Sequence, residues 1–250
     1  MTTWTRPTTL EFPKVWVTFE GKGVTSSGTK QKFWIQDVTD DYKEEIIHYI
    51  ITGYLKDTPI YRYSKFTDDP QSVEDYVTMW RKILDQNVSL ICLTQDGRGQ
   101  TSVVGFNIYA VLHKNANRNL VEIMKGRVSK MVAGTQSHIW NIKDIFTELN
   151  IDFNITSWGL YVLPEFRLQG IAYELLKAGR EIAVALGINV SVTLFTSFGG
   201  QSVAERVGFR DITKCSFEDF ERVNPLFKFP GIEADSSKAM RLMYIRYSDS

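Results

Sequence analysis

Hydrophobic periodicity is clearest in the C-terminal half of the chain. Residues 158–163 form an apolar, strand-like run, and residues 190–195 alternate with the β-branched content of a second strand. Between these runs, a helix ending near Gly187 is predicted by apolar residues at spacings of four and three, at Ile171, Leu175, Ala178, Ile182 and Ala185. A turn at Ser197 leads into a further helix that closes on Gly208. This half therefore reads as strand, helix, strand and helix.

Two helices are predicted in the N-terminal half. After a first strand over residues 33–38, a helix begins at Asp40 and breaks at Gly53 or shortly after. The pair Asp69-Pro70 is typical of an N-cap followed by proline at the first helical position. The apolar stripe that follows, from Val73 to Leu84, therefore predicts a second helix.

The remaining segments differ in how strongly they are patterned. Residues 87–94 and 102–113 predict antiparallel strands joined by a turn-rich loop. The stretch after Phe217 carries prolines, glycine and charges as far as Lys238, which indicates a long loop. Residues 239–247 alternate well enough for a closing strand.

This order of elements predicts an α/β fold with a mixed central sheet flanked by helices. We expect a single domain over residues 1–250. Its parts are a decorating N-terminal segment (1–29), an N-terminal half (30–113), a helical insertion that forms one wall of a substrate site (114–154), a core (155–217), and a C-terminal loop and strand (218–250).

Composition narrows the classes of partner. Lysine and arginine together number 29, as do aspartate and glutamate, so the charge balance gives no reason to expect a nucleic acid. No apolar run is long enough for a membrane helix and the polar start lacks a signal-peptide core, so we expect a cytoplasmic protein that binds no membrane. We also expect a monomer. Cys92 and Cys215 read as reduced, packed thiols, and the three scattered histidines do not suggest a metal site.

The segment Arg167-Leu168-Gln169-Gly170-Ile171-Ala172 has the layout of an anion cradle. It lies between the strand-like run and the first turn of the predicted helix. Amide groups at a helix start have no partner within the helix and lie at the positive end of its dipole, so a phosphate fits there. Glycine lets the backbone approach such a ligand closely.

This segment resembles the acetyl-CoA signature of the GNAT N-acetyltransferases, in which Arg or Gln, two spacers, Gly, one spacer and Gly or Ala follow a strand. The strand, helix and Gly208-Phe209 ending that come next extend the resemblance over residues 155–217. The resemblance implies the acetyltransferase fold, acetyl-CoA as cosubstrate and no metal. It implies that the coenzyme is bound by residues of the cradle and by backbone amides of the preceding strand: Arg167, Leu168, Gln169, Gly170, Ile171, Ala172, Leu160, Tyr161 and Val162.

Within the family, the sequence is similar to the insect arylalkylamine N-acetyltransferases. The similarity is carried by residues 54–60, by the long insertion before the signature strand and by the turn at Ser197. It implies transfer of an acetyl group to a small arylalkylamine of the dopamine, serotonin or tyramine type, by direct attack in a ternary complex.

The catalytic groups depart from the pattern of that branch. A glutamate, assigned as general base, commonly stands where this chain has Thr58, and Asp57 is the nearest carboxylate that could replace it. A base matters because a primary amine with a pKa near 10 is mostly protonated at pH 7. Forming the neutral, nucleophilic amine at that pH costs about 4 kcal/mol of free energy. In the turn that leads into the helix closing on Gly208, Ser197 matches a serine that the branch assigns to catalysis or substrate binding, and Ser202 lies nearby. Both serines could instead simply cap the helix.

Three alternatives remain open from the sequence. An aliphatic substrate such as agmatine or a polyamine would need carboxylates in the substrate pocket. A protein N-terminus or lysine would need an open peptide groove. A non-catalytic acetyl-CoA-binding sensor would bind the coenzyme without turnover.

Overall fold

The computed structural model describes residues 4–24, 28–116 and 119–247. Within these ranges eight strands form one sheet in the order β1-β2-β3-β4-β5-β6-β8-β7. Their bounds are β1 Val15–Val24, β2 Lys30–Asp37, β3 Leu90–Gln95, β4 Thr101–His113, β5 Phe153–Val162, β6 Val190–Phe195, β7 Arg210–Ser216 and β8 Ala239–Arg246. Neighbouring strands are antiparallel, apart from the parallel pair β5 and β6. This mixed sheet confirms the predicted fold class.

Helices cover both faces of the sheet. They are α1 Asp40–Tyr49, α2 Leu55–Asp57, α3 Pro59–Tyr63, α4 Pro70–Leu84, α5 Arg127–Trp140, α6 Ile145–Leu149, α7 Ile171–Ala185, α8 Phe198–Val207 and α9 Phe217–Val223. Alternate residues of β4 enter two separate cores. Phe106 and Ile108 pack with the core of α1 and α4, whereas Tyr109 and Val111 pack with α7. The first six helices and α9 therefore lie on one face, and α7 and α8 on the other.

Local sequence signals account for the two longest helices. The Asp69 carboxylate accepts a hydrogen bond from the Ser72 amide at 3.3 Å, so it caps α4 as predicted. Helix α7 begins after Gly170, which has a φ of 91°. Four of the five residues of the predicted stripe of α7 are buried, whereas Ala185 at the end of the helix is exposed. Each fully buried large aliphatic side chain contributes about 1.5–3 kcal/mol.

The prediction that residues 1–29 only decorate the domain was wrong for β1. Val15–Val24 is a strand paired antiparallel with β2, and it forms one edge of the sheet. The segment's turn formers obscured its alternating Val15, Val17 and Phe19. Residues 1–3 and 25–27 of that prediction lie outside the described residues.

The helical path that starts with α1 runs past Gly53 and ends at Asp57, which agrees with the predicted break at Gly53 or shortly after. The chain continues through a π-helical turn, Ile50–Tyr54, directly into α2. A Cβ atom on Gly53 would lie 2.3 Å from the Tyr161 hydroxyl oxygen. Glycine therefore permits a close approach of β5 here rather than ending the helix.

The predicted loop over residues 218–238 contains regular structure. Helix α9 is capped by the Ser216 hydroxyl, which accepts from the Asp219 amide at 3.0 Å, and it buries Phe217 and Phe220. The segment Ile232–Ala234 forms a 3₁₀ turn. The short apolar spacing of α9 was masked by the charges between its phenylalanines.

The insertion is helical, as predicted, through α5 and α6. Its C-terminal boundary is earlier than residue 154, because β5 begins at Phe153, opposite His113. Residues 117 and 118 lie outside the described residues.

Both cysteines are free and buried, in line with the predicted packed thiols. Burial raises the pKa of the Cys92 thiol. No group of histidine, cysteine, aspartate or glutamate side chains in the described part of the chain could hold a metal ion. Over the same residues, every helix is too short or too polar to cross a membrane.

The sheet opens between β5 and β6. Only Ile155 and Ser191 are paired between them, near the start of each strand. On its other edge β5 follows β4 with an irregularity at Trp158, because Ser157 and Gly159 face consecutive residues of β4. This opening places the site described next.

Candidate active site

A cavity of about 500 Å³ passes through the opening between β5 and β6. Its walls come from both faces of the sheet, since α7 and α8 contribute Ala172 and Val203, whereas the other face contributes Tyr54 and Trp140. This volume lies in the range of small-molecule sites. Two reactants can therefore reach one point from opposite faces of the sheet.

The loop before α7 forms a concave run of amides. Leu168 has a φ of 65° and Gly170 a φ of 91°, so two left-handed residues alternate with Gln169. No acceptor in the described structure lies against the amides of Leu168, Gln169 or Gly170. Ile171 and Ala172 are the first two residues of α7, whose opening amides have no intrahelical partner. Such a run is suited to a phosphate or diphosphate.

Gln169 ties this loop to β1. Its side-chain oxygen accepts from the Gly23 amide at 2.7 Å, and its carbonyl accepts from the Lys22 amide at 3.3 Å. Gln169 therefore positions the loop through its side chain. Sequence reasoning missed this contact, because the partner strand lies 146 residues away and was not recognised.

The exposed edge of β5 presents two of the three expected amides. The Leu163 amide donates to the Val104 carbonyl at 3.0 Å, and the Tyr161 carbonyl lies 2.8 Å from the position of a Cβ on Gly105. Both therefore point towards β4. Successive backbone groups of a strand point to opposite edges, so the amides of Leu160 and Val162 face the opening and that of Tyr161 does not.

Arg167 makes its contacts within the chain. Its guanidinium forms an ion pair with Asp57, and its Nε donates to the Val162 carbonyl at 3.1 Å. It also lies over the Tyr161 ring, 5.5 Å from the centroid. The concave run of amides before α7 is thus formed by the backbone alone, and the arginine links α2 to β5.

Asp57 lines the cavity. Its Oδ2 contacts Arg167 and accepts from the Tyr161 hydroxyl at 3.3 Å. No partner of Oδ1 is found among the described residues. Burial and then the Asp57 charge raise the pKa of Tyr161, so this phenol stays protonated at neutral pH.

Thr58 occupies the position at which the family resemblance implies a glutamate. It is buried and lines the cavity, next to the Tyr54 hydroxyl. Burial raises the pKa of Tyr54 to about 12, although hydrogen bonds with Thr58 and Tyr61 act in the opposite direction. A threonine hydroxyl is too weak a base to take a proton from an ammonium ion, but it can hold a water or position an amine.

The wall on the α4 and α5 face is mainly aromatic. It is formed by side chains from the early helices, from β5 and from the insertion: Tyr54, Tyr61, Leu112, Leu120, Trp140 and Trp158. Gln136 is held in place by the Tyr76 hydroxyl, which donates to its side-chain oxygen at 3.0 Å. Asp57 is the one carboxylate among the lining residues of the described chain.

The two candidate serines, Ser197 and Ser202, differ in position relative to the cavity. Ser197 lines the cavity and caps α8, since its hydroxyl accepts from the Gly200 amide at 3.2 Å. Ser202 lies one turn into α8 and does not contribute to the lining. The structure thus brings together Asp57, Arg167 and Ser197 around one cavity and leaves Ser202 outside it.

The family model of the acetyltransferase (GNAT) family matches residues 56–209. This chain belongs to that family. It is an N-acetyltransferase, and members of this family use acetyl-CoA. The residues present fit this cosubstrate, because the concave amides before α7 suit its diphosphate and the free edge of β5 suits its extended pantetheine arm.

Several solved acetyltransferase structures are similar to this chain. A protein named as a candidate arylalkylamine N-acetyltransferase 7, from the yellow fever mosquito Aedes aegypti, has 28% identity, a TM-score of 0.87 and coverage of 98% of this chain and 99% of its own. Arylalkylamine N-acetyltransferase 2 of Aedes aegypti has 17% identity and a TM-score of 0.74, over 86% of this chain and 99% of its own.

A polyamine N-acetyltransferase of Drosophila melanogaster that forms N-acetylagmatine has 12% identity and a TM-score of 0.69. It also covers 86% of this chain and 99% of its own. The likeness to these last two concerns the fold. No curated protein matches this sequence.

Proposed function

We propose that this acetyltransferase transfers the acetyl group of acetyl-CoA to the primary amine of a small arylalkylamine, by direct attack in a ternary complex. The observation that carries the proposal is the mainly aromatic wall on the α4 and α5 face of the cavity, which we assign to the amine and call the amine side. A flat aromatic ring gains most of its binding free energy from such a wall.

The shortage of carboxylates argues against an aliphatic polyamine or agmatine. A second cationic group, buried in this cavity, would need a negative partner. Asp57, the one lining carboxylate, already has Arg167 as a partner.

In the proposed mechanism acetyl-CoA supplies an acetyl group activated as a thioester. The amides of Leu168, Gln169, Gly170, Ile171 and Ala172 hold its diphosphate, and those of Leu160 and Val162 hold the acyl end. A donor at the acyl oxygen stabilises the negative charge that develops there during attack. Neither task requires a side chain.

Asp57 is the proposed general base. Its Oδ1 takes a proton from the ammonium form of the amine, directly or through a water beside Thr58, and so yields the neutral nucleophile. The nitrogen–carbon bond then forms and the carbon–sulfur bond breaks, and the proton that the acylated nitrogen loses passes to the leaving thiolate, so that the N-acetylated amine and the free coenzyme thiol are released. Ser197 holds the turn that lines the cavity by capping α8, and no role is proposed for Ser202 beyond the sequence expectation.

The experiment is a substrate panel with release of the coenzyme thiol as the signal. Dopamine, serotonin, tyramine, agmatine, spermidine and a peptide with a free N-terminus are compared by kcat/KM. We expect the three arylalkylamines to lead. If agmatine or spermidine leads instead, the aromatic-amine assignment is wrong; if acetyl-CoA binds and no amine reacts, the protein is a coenzyme-binding sensor.

A further inference from the structure

A second cavity, of about 420 Å³, lies beside the concave run of amides before α7. Gln169 and Gly170 of that run line it, together with residues of β1, α7 and α8. None of the described residues that line it also lines the cavity between β5 and β6. The second cavity therefore begins at the amides proposed to hold the diphosphate and adds side chains that the proposed mechanism does not use.

Two basic side chains of this cavity lie over the start of α7. The Lys22 side chain passes over Gly170, since its Cε lies 3.4 Å from the position that a Cβ on Gly170 would occupy. The Arg206 guanidinium lies over the Tyr173 ring, with its Cζ 5.2 Å from the centroid. Gly170 is the N-cap of α7 and Tyr173 lies in its first turn, so the two basic side chains cover positions about one helical turn apart.

The end of β1 is fastened to the loop before α7. The Lys22 amide donates to the Gln169 carbonyl at 3.3 Å, and the Gly23 amide donates to the Gln169 side-chain oxygen at 2.7 Å. Lys22 and Arg206 are both exposed, and neither forms an ion pair with another residue of the described chain. Two accessible cations are thus held beside the amides and are able to bind an anion.

We propose that Lys22 and Arg206 bind the 3′-phosphate of the coenzyme, so that the enzyme prefers acetyl-CoA to its 3′-dephospho form. In acetyl-CoA one ribose carries both this phosphate and the diphosphate, so a site for the one has to lie beside the site for the other. Ammonium and guanidinium groups both donate charge-assisted hydrogen bonds to phosphate oxygens. The inference concerns the coenzyme and does not depend on which amine is acetylated.

The other side chains of the second cavity favour a nucleotide over a free anion. Glu20 and Glu174 balance the two basic groups, so the lining has no net charge that would attract a phosphate ion by itself. The adenosine end of the coenzyme also carries an amino group, which can donate to a carboxylate, and a flat ring, which can pack against Phe19 or Tyr173. The lining therefore suits the phosphorylated adenosine as one unit.

The test is calorimetric titration of the protein with CoA and with 3′-dephospho-CoA, which differ only in this phosphate. For the unaltered protein we expect CoA to bind about tenfold more tightly at low salt, and the difference to shrink as the ionic strength rises. Lys22→Gln and Arg206→Gln should each reduce this ratio several-fold, by weakening the binding of CoA and leaving that of dephospho-CoA nearly unchanged. The Michaelis constants of the two acetylated coenzymes should follow the same pattern.

Two further variants separate charge from structure. Lys22→Arg keeps the positive charge and should retain the preference for CoA. Lys177→Gln is the matched control, because Lys177 is an exposed basic residue of α7 that lines neither cavity. It should leave the ratio unchanged. The thermal unfolding midpoint of every variant reports whether the fold is intact.

Equal affinities of the unaltered protein for CoA and dephospho-CoA would overturn this inference. Variants that weaken both ligands by the same factor would assign the two side chains to the diphosphate and overturn it as well. Neither result changes the outcome of the amine panel, so the proposed function would stand. A preference for CoA in a protein that acetylates no arylalkylamine would instead overturn the proposed function and support this inference.

Discussion

At the scale of single residues, the position of Asp57 explains how it could replace the glutamate expected at Thr58. Asp57 ends α2, whereas Thr58 is already extended, with a ψ of 124°, and occupies the N-cap position of α3 without a side-chain capping bond. The two neighbours therefore project from different backbone conformations, and both reach the cavity. Arg167 and Tyr161 share one carboxylate oxygen of Asp57 and leave the other for a proton.

Asp57→Asn should lower kcat/KM for the amine by about 10²-fold at pH 7, because the amide cannot take the proton of the ammonium group. The loss should shrink as the pH approaches the amine pKa of about 10, where the amine is neutral without help. Steady-state kinetics across pH give the comparison. Asp85→Asn, which alters an exposed carboxylate paired with Lys43, is the control. A loss that does not change with pH would assign Asp57 to positioning Arg167 instead.

Gly170→Val should raise the Michaelis constant for acetyl-CoA far more than that for the amine. A β-branched residue is strained at a φ of 91°, and its side chain would meet Lys22 beside the cradle. Gly187→Val introduces similar strain at a φ of 70° at the far end of α7, with open space around it. Equal kinetic effects of the two changes would show that the loop does not hold the coenzyme.

At the scale of elements, two carboxylates hold the start of α5, which carries part of the aromatic wall of the cavity: Asp69 at the N-cap of α4 and Asp75 within α4. Asp75 Oδ2 accepts from the amides of Lys125 and Gly126, each at 2.8 Å, and from the Ser129 hydroxyl. Asp69 Oδ2 accepts from the Val128 amide at 3.1 Å. The insertion is thus fastened to the fold by charge-assisted hydrogen bonds.

Burial alone would raise the pKa of Asp75, but the hydrogen bonds from Ser129, Gly126 and Lys125 outweigh it and lower the pKa. A lowered folded-state pKa stabilises the fold above the unfolded-state value and loses that contribution as the pH falls through the folded-state value. The clamp should therefore weaken below about pH 4.

Asp75→Asn should lower the free energy of unfolding by about 1–3 kcal/mol at pH 7, since one charged acceptor of three hydrogen bonds is lost. Urea unfolding at several pH values measures the difference, which should narrow as the pH falls below about 4. Glu74→Gln, an exposed neighbour on α4, should have little effect. A difference that persists unchanged at acid pH would rule out the charge as its cause.

Elements with long, regular periods were predictable from the sequence, and short ones were not. The cap at Asp69 and the apolar stripe of α7 gave helices with their observed starts, because capping and burial act locally. Strand β1 and helix α9 were missed, because each becomes stable only against a distant partner. The π-helical turn at Gly53 depends on contact with Tyr161, 108 positions away in the numbering, which no local pattern reports.

At the scale of the whole molecule, the cavity crosses the sheet and is lined by residues from both of its faces. The described lining contains no cysteine, and both cysteines lie in the core instead. The cavity lining therefore offers no cysteine thiol, the most reactive nucleophile from which a covalent acetyl-enzyme could form. The geometry favours direct transfer between two bound substrates.

Initial-velocity measurements should therefore give intersecting double-reciprocal lines, the pattern of a ternary complex. Cys92→Ala and Cys215→Ala should keep their kcat, although loss of packing will lower stability. Parallel lines, or an acetylated protein detected by mass spectrometry after exposure to acetyl-CoA alone, would contradict direct transfer.

The sequence by itself determined the α/β order of elements, the glycine turn that opens α7 and the family resemblance, because hydrophobic period, capping and glycine placement are properties of neighbouring residues. Only the tertiary structure decided which groups meet. It paired Arg167 with Asp57 and turned Gln169 onto β1. Those contacts join residues far apart in the chain, and their geometry follows from how the sheet opens between β5 and β6.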